Sequence, residues 1–185
     1  MLNKIIHLKY KRNTTLQIPK NVMFYKSPTI ITHKKAKIIL GENVSLNSDN
    51  KTYHLNMFQA CKLMADVENA KIVIGENSRI HGSCIHAQDF IFIGKNCLIA
   101  ANCQIMDNNG HPVKVSTHSD RMQKRGESKG VYIEDGVWLG TGVVVLPGVT
   151  IGEGSVIGAN SVVSVDIPKF SIAIGNPIQI VKTLI

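Results

Sequence analysis

The chain has 185 residues, enough for one domain with its own core, and 44% of them are apolar. No apolar run approaches the ~18 residues that cross a bilayer, and no secretory leader pattern opens the chain, so a cytoplasmic location is expected. The net charge of +8 is lopsided: residues 1–41 hold nine Lys or Arg and no Asp or Glu, while the remainder is nearly neutral. No zinc-finger spacing or aromatic RNA-binding motif accompanies that charge, which argues against nucleic acid. A basic arm of this kind meets an anionic membrane surface or an acidic partner, or solvates one face.

In chain order, residues 1–35 read as a basic N-terminal segment. At 36 the character changes. Leu40 and Leu46 stand six apart, and AKIILGEN (36–43) returns almost unchanged as AKIVIGEN (70–77). Between them an insertion at about 47–69 carries Tyr53, His54, Phe58 and Cys61. Ile74 and Ile80, then Ile93, Ile99 and Ile105, resume the step of six. A second insertion at about 106–130 carries His111 and His118. Ile133, Leu139, Val145, Ile151, Ile157 and Val163 follow without a gap, and residues 169–185 form an exit segment.

The other positions of the six-residue unit are as restricted. Three residues after the aliphatic stands Asn43, Asn77, Ser83, Asn96, Asn102, Gly136, Gly142, Gly148, Gly154 or Asn160. Asn and Gly tolerate positive φ best, so the chain is expected to turn a corner every six residues. The next position is small: Val, Ser or Cys throughout, with Cys84, Cys97 and Cys103 assigned there as buried residues rather than metal ligands or disulfides. A helix would need apolar residues at i, i+3, i+4 and i+7, which this pattern contradicts. Short parallel strands joined by corners satisfy it, three to a coil. The reading is an all-β chain, a parallel β-solenoid over 36–168 with two insertions, which in solenoids project as loops.

Three stretches carry a resemblance: IGENSRIHGSCI (74–85), IGKNCLIAANCQI (93–105) and WLGTGVVVLPGVTIGEGSVIGANSVV (138–163). They resemble the left-handed β-helix, hexapeptide-repeat acyltransferases, nearest to the galactoside, maltose and surface-polysaccharide O-acetyltransferases. IMDNNGHPV (105–113) is similar to their catalytic loop, and AIGNPIQIVK (173–182) to their exit strand. The left hand of the coil comes from the resemblance alone, since parallel crossovers otherwise favour the right hand. The resemblance implies a homotrimer with sites between subunits, acetyl-CoA as co-substrate lying along a groove, and a carbohydrate acceptor. It implies His111 as the catalytic base and Trp138, Gly140, Thr141 and Ala159 along the coenzyme. Where galactoside-type members carry Lys and Arg toward the coenzyme phosphates, this chain has Val165 and Gln179, leaving Lys169 and Lys182 as candidates for that role. Ser83, His86 and Asn109 are candidates for acceptor contacts. No metal is expected.

The chemistry suits these residues. Acyl transfer to a hydroxyl needs a base of near-neutral pKa, which His supplies, and a framework that holds two substrates together. Other readings are an N-acetyltransferase of an amino sugar and an antibiotic O-acetyltransferase. Further off stand a zinc protein resembling the γ-class carbonic anhydrases, suggested by the pairs His81–His86 and His111–His118, and a solenoid without catalysis.

Overall fold

The computed structural model describes residues 2–10, 13–114 and 118–185. The chain winds as a parallel β-helix with three flat faces. Face A stacks Leu16–Gln17, Lys37–Leu40, Lys71–Ile74, Phe90–Ile93, Val131–Ile133 and Thr150–Ile151. Face B stacks Met23–Tyr25, Ser45–Asn47, Arg79–His81, Leu98–Ile99, Trp138–Leu139, Val156–Ile157 and Ser171–Ile174, closed by the antiparallel strand Gln179–Thr183. Face C stacks Thr29–Thr32, Lys62–Ala65, Cys84–Ala87, Gln104–Met106, Val144–Val145 and Val162–Val163. Helix α1 (Leu2–Tyr10) covers the N-terminal end, and α2 (His118–Gln123) lies in the second insertion.

Every coil places the same side chains inward, which makes columns. Ile38, Ile72, Ile91 and Val131 pair in register along face A, Leu46, Ile80, Ile99 and Leu139 along face B, and Leu63, Ile85, Ile105 and Val145 along face C. All twelve are fully buried. Burying each aliphatic side chain contributes about 1.5–3 kcal/mol, so the columns are the main source of stability. The corners behave as their residue types require. Asn43, Asn77, Asn96, Asn102, Asn160, Gly136, Gly142, Gly148 and Gly154 all have positive φ.

Two boundaries move. The helix begins with a coil at Leu16, inside the segment 1–35 read as a basic arm: Leu16, Met23 and Thr29 open strands that pair in parallel with the next coil. Its corner uses Lys26 at φ 62 rather than Asn or Gly, so the corner signature is missing there. The first insertion is also shorter than 47–69, because Lys62–Ala65 already belongs to face C. Cys61 closes that insertion and is buried, with its thiol against the carbonyls of Asn47 and Ile80.

A third difference is a slip of phase. Ile80 and Ile85 both point inward although they are five apart, and the positive φ at that corner belongs to Gly82, not Ser83. The unit is one residue short. Ser83 therefore takes the buried position and Cys84 moves to the outer surface of face C, half-buried, unlike Cys97 and Cys103. Burial pushes the Cys97 and Cys103 thiols up to about 11, which keeps them protonated and unreactive.

Candidate active site

The second insertion leaves the coil after Met106, at the edge between faces C and A. Asp107 fixes its root. The carboxylate is fully buried and accepts from the backbone N–H of Gln88 (2.8 Å) and Asp89 (2.7 Å) and from the Asn108 amide (3.0 Å). The Lys129 N–H donates to the Asp107 carbonyl at 2.7 Å, and Asn108 bridges Ser128, so the loop leaves and returns through one clasp. Asn108 Oδ1 then accepts the Gly110 N–H at 3.0 Å, and Gly110 turns at φ 73. That turn presents His111, exposed, with Asn109 exposed beside it. Gly126 backs the turn: a Cβ there would stand 2.5 Å from the His111 carbonyl oxygen. Asp107 spends both carboxylate oxygens on this clasp.

The residues expected along a coenzyme lie on face B and its edge with face C. Trp138 is 50% exposed and stands in one outward column with Leu98, Val156, Ile172 and Lys182. Next to the column runs a strip without side chains, Gly140 and Gly158. A Cβ on Gly140 would meet the Ala159 nitrogen at 2.6 Å, and one on Gly158 would meet the Ile174 side chain at 2.6 Å. Beside the exposed apolar column, therefore, the coils approach one another closely, backbone to backbone at Gly140 and against the Ile174 side chain at Gly158. Thr141 follows Gly140, its hydroxyl donating to the Ala101 carbonyl at 2.8 Å. That proton is therefore committed, and only the hydroxyl lone pairs remain for a ligand.

The other candidates separate. Lys169 lies at the edge between faces A and B, between Glu134 (3.4 Å) and Glu153 (3.5 Å). Those carboxylates, Glu134 foremost, raise its pKa and neutralise part of its charge. Lys182 projects from the last strand into the Trp138 column. Ser83 is withdrawn as an acceptor contact: its hydroxyl is 1% exposed and is shared among the His81 and Ala100 carbonyls and the Cys103 N–H. The one-residue slip puts it inside. His86 faces outward on face C, with Nε2 2.9 Å from Asp66 Oδ1. Its backbone carbonyl accepts the Asp107 N–H at 3.4 Å, so this pair flanks the root of the His111 loop.

Three contributors were missed in the sequence: Asp66, the clasp carboxylate of Asp107, and Gly126. None belongs to the six-residue pattern, so periodicity gave no signal for them. The first insertion also takes a defined place. Tyr53 stacks on His81 at 4.4 Å and packs at a tilt against His54 at 4.6 Å, and Asn102 bonds the Phe58 N–H and the Asn56 carbonyl. Among the described residues no group of three metal-ligating side chains converges.

The His111 loop roots on the edge between faces C and A, whereas the Trp138 column lies on face B.

Residues 130–164 match the family described as bacterial transferase hexapeptide (six repeats). No curated protein sequence matches the chain. Among solved structures, a maltose O-acetyltransferase from Clostridium difficile 630 is 37% identical at a TM-score of 0.56, over 62% of this chain and 59% of that one. The chain thus spans less than two thirds of that relative's length. The polysialic-acid-specific acetyltransferase NeuO is 25% identical at 0.67, over 93% and 73%. AntD, an N-acyltransferase from Bacillus cereus, is 22% identical at 0.72, over 96% and 86%, a likeness of fold. Repeat, corner chemistry and strand order give this chain the left-handed β-helix fold and a likeness to the hexapeptide-repeat acetyltransferases among its solved neighbours.

Proposed function

We propose that the chain transfers an acetyl group from acetyl-CoA to a hydroxyl of a carbohydrate, of a surface polysaccharide or its precursor, with His111 as general base. The observation that carries this reading is the His111 turn. A buried carboxylate, a backbone clasp and two glycines hold the exposed His111 imidazole at one turn, which is costly architecture for a surface histidine. In the reaction the neutral ring takes the hydroxyl proton as the oxygen attacks the thioester carbonyl. The C–O bond forms, the C–S bond breaks, and the imidazolium returns its proton to the departing thiolate. Trp138 and the glycine strip suit the slender pantetheine arm, with Thr141 and Ala159 at its edge. Lys182 is the better-placed cation for the coenzyme phosphates, because Lys169 is already engaged by Glu134 and Glu153.

The placement of the His111 loop and the Trp138 column on different faces supports a homotrimer, in which one subunit's loop meets another's face B. Sedimentation should give three copies; a fully active monomer at micromolar concentration contradicts this. His86, held by Asp66, and Asn109 remain the acceptor candidates on the loop side. The basic end suits peripheral contact with an anionic membrane, at its cytoplasmic face.

The test is thiol release from acetyl-CoA, corrected for hydrolysis, across sugars, nucleotide sugars and amino sugars. Release that depends on a hydroxyl acceptor supports the proposal. Release with amino sugars alone favours N-acylation, the second reading, and release with none contradicts the transfer.

A further inference from the structure

Helix α1 seals the first coil with one side only. Ile6 and Tyr10 enter the core, while Ile5 and Leu8 remain 56% and 67% exposed. Between α1 and the first strand of face A lies a cavity of about 710 Å³, lined by Asn3, Lys4, His7, Leu8, Tyr10, Leu16, Ile18 and Lys20. Its size falls in the ~300–1,000 Å³ range of small-molecule sites. Nothing in the acyl-transfer reading uses it.

The lining sorts by what is still available to a ligand. Asn3 is spent: it donates to the Val22 carbonyl and accepts from the Phe24 N–H. His7 Nε2 bonds the Val22 carbonyl at 2.9 Å, and the Tyr10 hydroxyl donates to the Pro28 carbonyl at 2.9 Å. What remains is an apolar floor of Leu8, Leu16 and Ile18 and two ammonium groups, Lys4 and Lys20. Among the described residues no carboxylate pairs with either, whereas Lys26 and Lys35 of the same segment are matched by Asp49 and Glu68. Lys4 and Leu8 stand one helical turn apart, so cation and apolar surface adjoin. Residues 1–41 contain no acidic side chain, so no carboxylate of that segment repels an anion from the cavity.

We propose that this cavity binds a phosphate-headed lipid drawn from a membrane surface, with a hydrocarbon chain against Leu8, Leu16 and Ile18 and the phosphate between Lys4 and Lys20. Charge complementarity and the apolar floor select the occupant together: a free phosphate would leave the floor wet, and a neutral amphiphile would leave both ammoniums unpaired. Ile5, exposed on α1 and outside the cavity lining, meets the same membrane. The site rests on the membrane-facing reading of the basic end and is independent of the transfer chemistry.

The experiment uses the full chain without acetyl-CoA. Calorimetric titration with dodecyl phosphate below its micellar concentration should saturate at one per chain. Inorganic phosphate and dodecyl maltoside should each bind at least about tenfold more weakly. The double variant Lys4→Ala/Lys20→Ala, both exposed positions, should weaken dodecyl phosphate on the order of tenfold to thirtyfold, the effect of two cations beside an anionic headgroup. Leu8→Asp should do at least as much, with circular dichroism unchanged for both variants. Vesicles of equal phosphatidylglycerol and phosphatidylcholine should retain the chain, and pure phosphatidylcholine should not. Equal binding of the three probes, or a double variant that binds dodecyl phosphate as the parent does, overturns the cavity while vesicle retention keeps the membrane reading. No retention on the anionic vesicles overturns both.

Discussion

The two insertions interrupt the same repeat, yet they are anchored in opposite ways. The first lies down along the edge between faces B and C. Asn102 holds its backbone at two points, Ser48 accepts the Cys61 N–H, and Tyr53 stacks on His81. The second is fastened at its root by Asp107, and α2 within it has no buried residues. An insertion that commits its polar groups to the coil becomes wall. One that commits them at its base leaves an exposed imidazole at the turn.

The clasp is where that contrast breaks most severely. Asp107→Ala strands the Gln88 and Asp89 N–H groups in a buried setting, each costing about 1–3 kcal/mol. Thermal unfolding should show a loss of several degrees or more, and activity should fall with it. Asp107→Asn keeps one acceptor and should recover part of the stability. An Asp107→Ala chain as stable as the parent would mean that the clasp is not what seats the loop.

Gly126→Ala comes next and separates position from stability. The added methyl must move the His111 carbonyl, and displacements of ~1 Å cost up to about 10²-fold in rate. Turnover should fall by about tenfold or more with the melting temperature nearly unchanged, since the loop lies outside the core. An unchanged turnover would show that the backbone at His111 does not position the ring.

Unhooking the first insertion should cost less. Asn102→Gly keeps the positive φ of the corner but deletes two hydrogen bonds, at about 1 kcal/mol each. Local hydrogen exchange in 50–60 should quicken while the second insertion stays as before. If both quicken together, the two loops are coupled and the comparison fails.

The smallest effect is one of pH. Burial, then the Arg79 and His54 charges, lowers His81 from 6.5 to about 4, so the folded chain holds it neutral. The unfolded chain binds this proton first as pH falls, so the contribution is complete above about 6.5 and is lost progressively toward pH 4. Stability should decline through that window, and His81→Phe, which can keep the stacking on Tyr53, should flatten the decline. An equal slope in the variant would assign the acid sensitivity elsewhere.

The coils were legible because each is a copy of its neighbour. Leu139 or Ile151 can be placed from the step of six, and the nine Asn and Gly corners adopt the backbone their type suggested. His111 was legible through its motif. Ser83 was misplaced because a five-residue step at Ile80–Ile85 shifts the phase by one, and no single unit announces its own length. The first coil was hidden because Lys26 turns its corner, although Ile18, Phe24 and Ile30 keep the spacing. Asp107, Gly126 and the Asp66–His86 pair depend on contacts between residues well separated in sequence, which a repeat does not encode.

The central claim rests on one side chain. Steady-state transfer from acetyl-CoA by His111→Ala, beside the parent and at equal folded concentration, tests it most directly. The account predicts a turnover lower by about 10²–10⁴, the usual share of a general base, with coenzyme binding and melting temperature nearly intact. Retention of more than about a tenth of the parent turnover, well outside that expected loss, would contradict the assignment and move the search to His86 and its Asp66 partner.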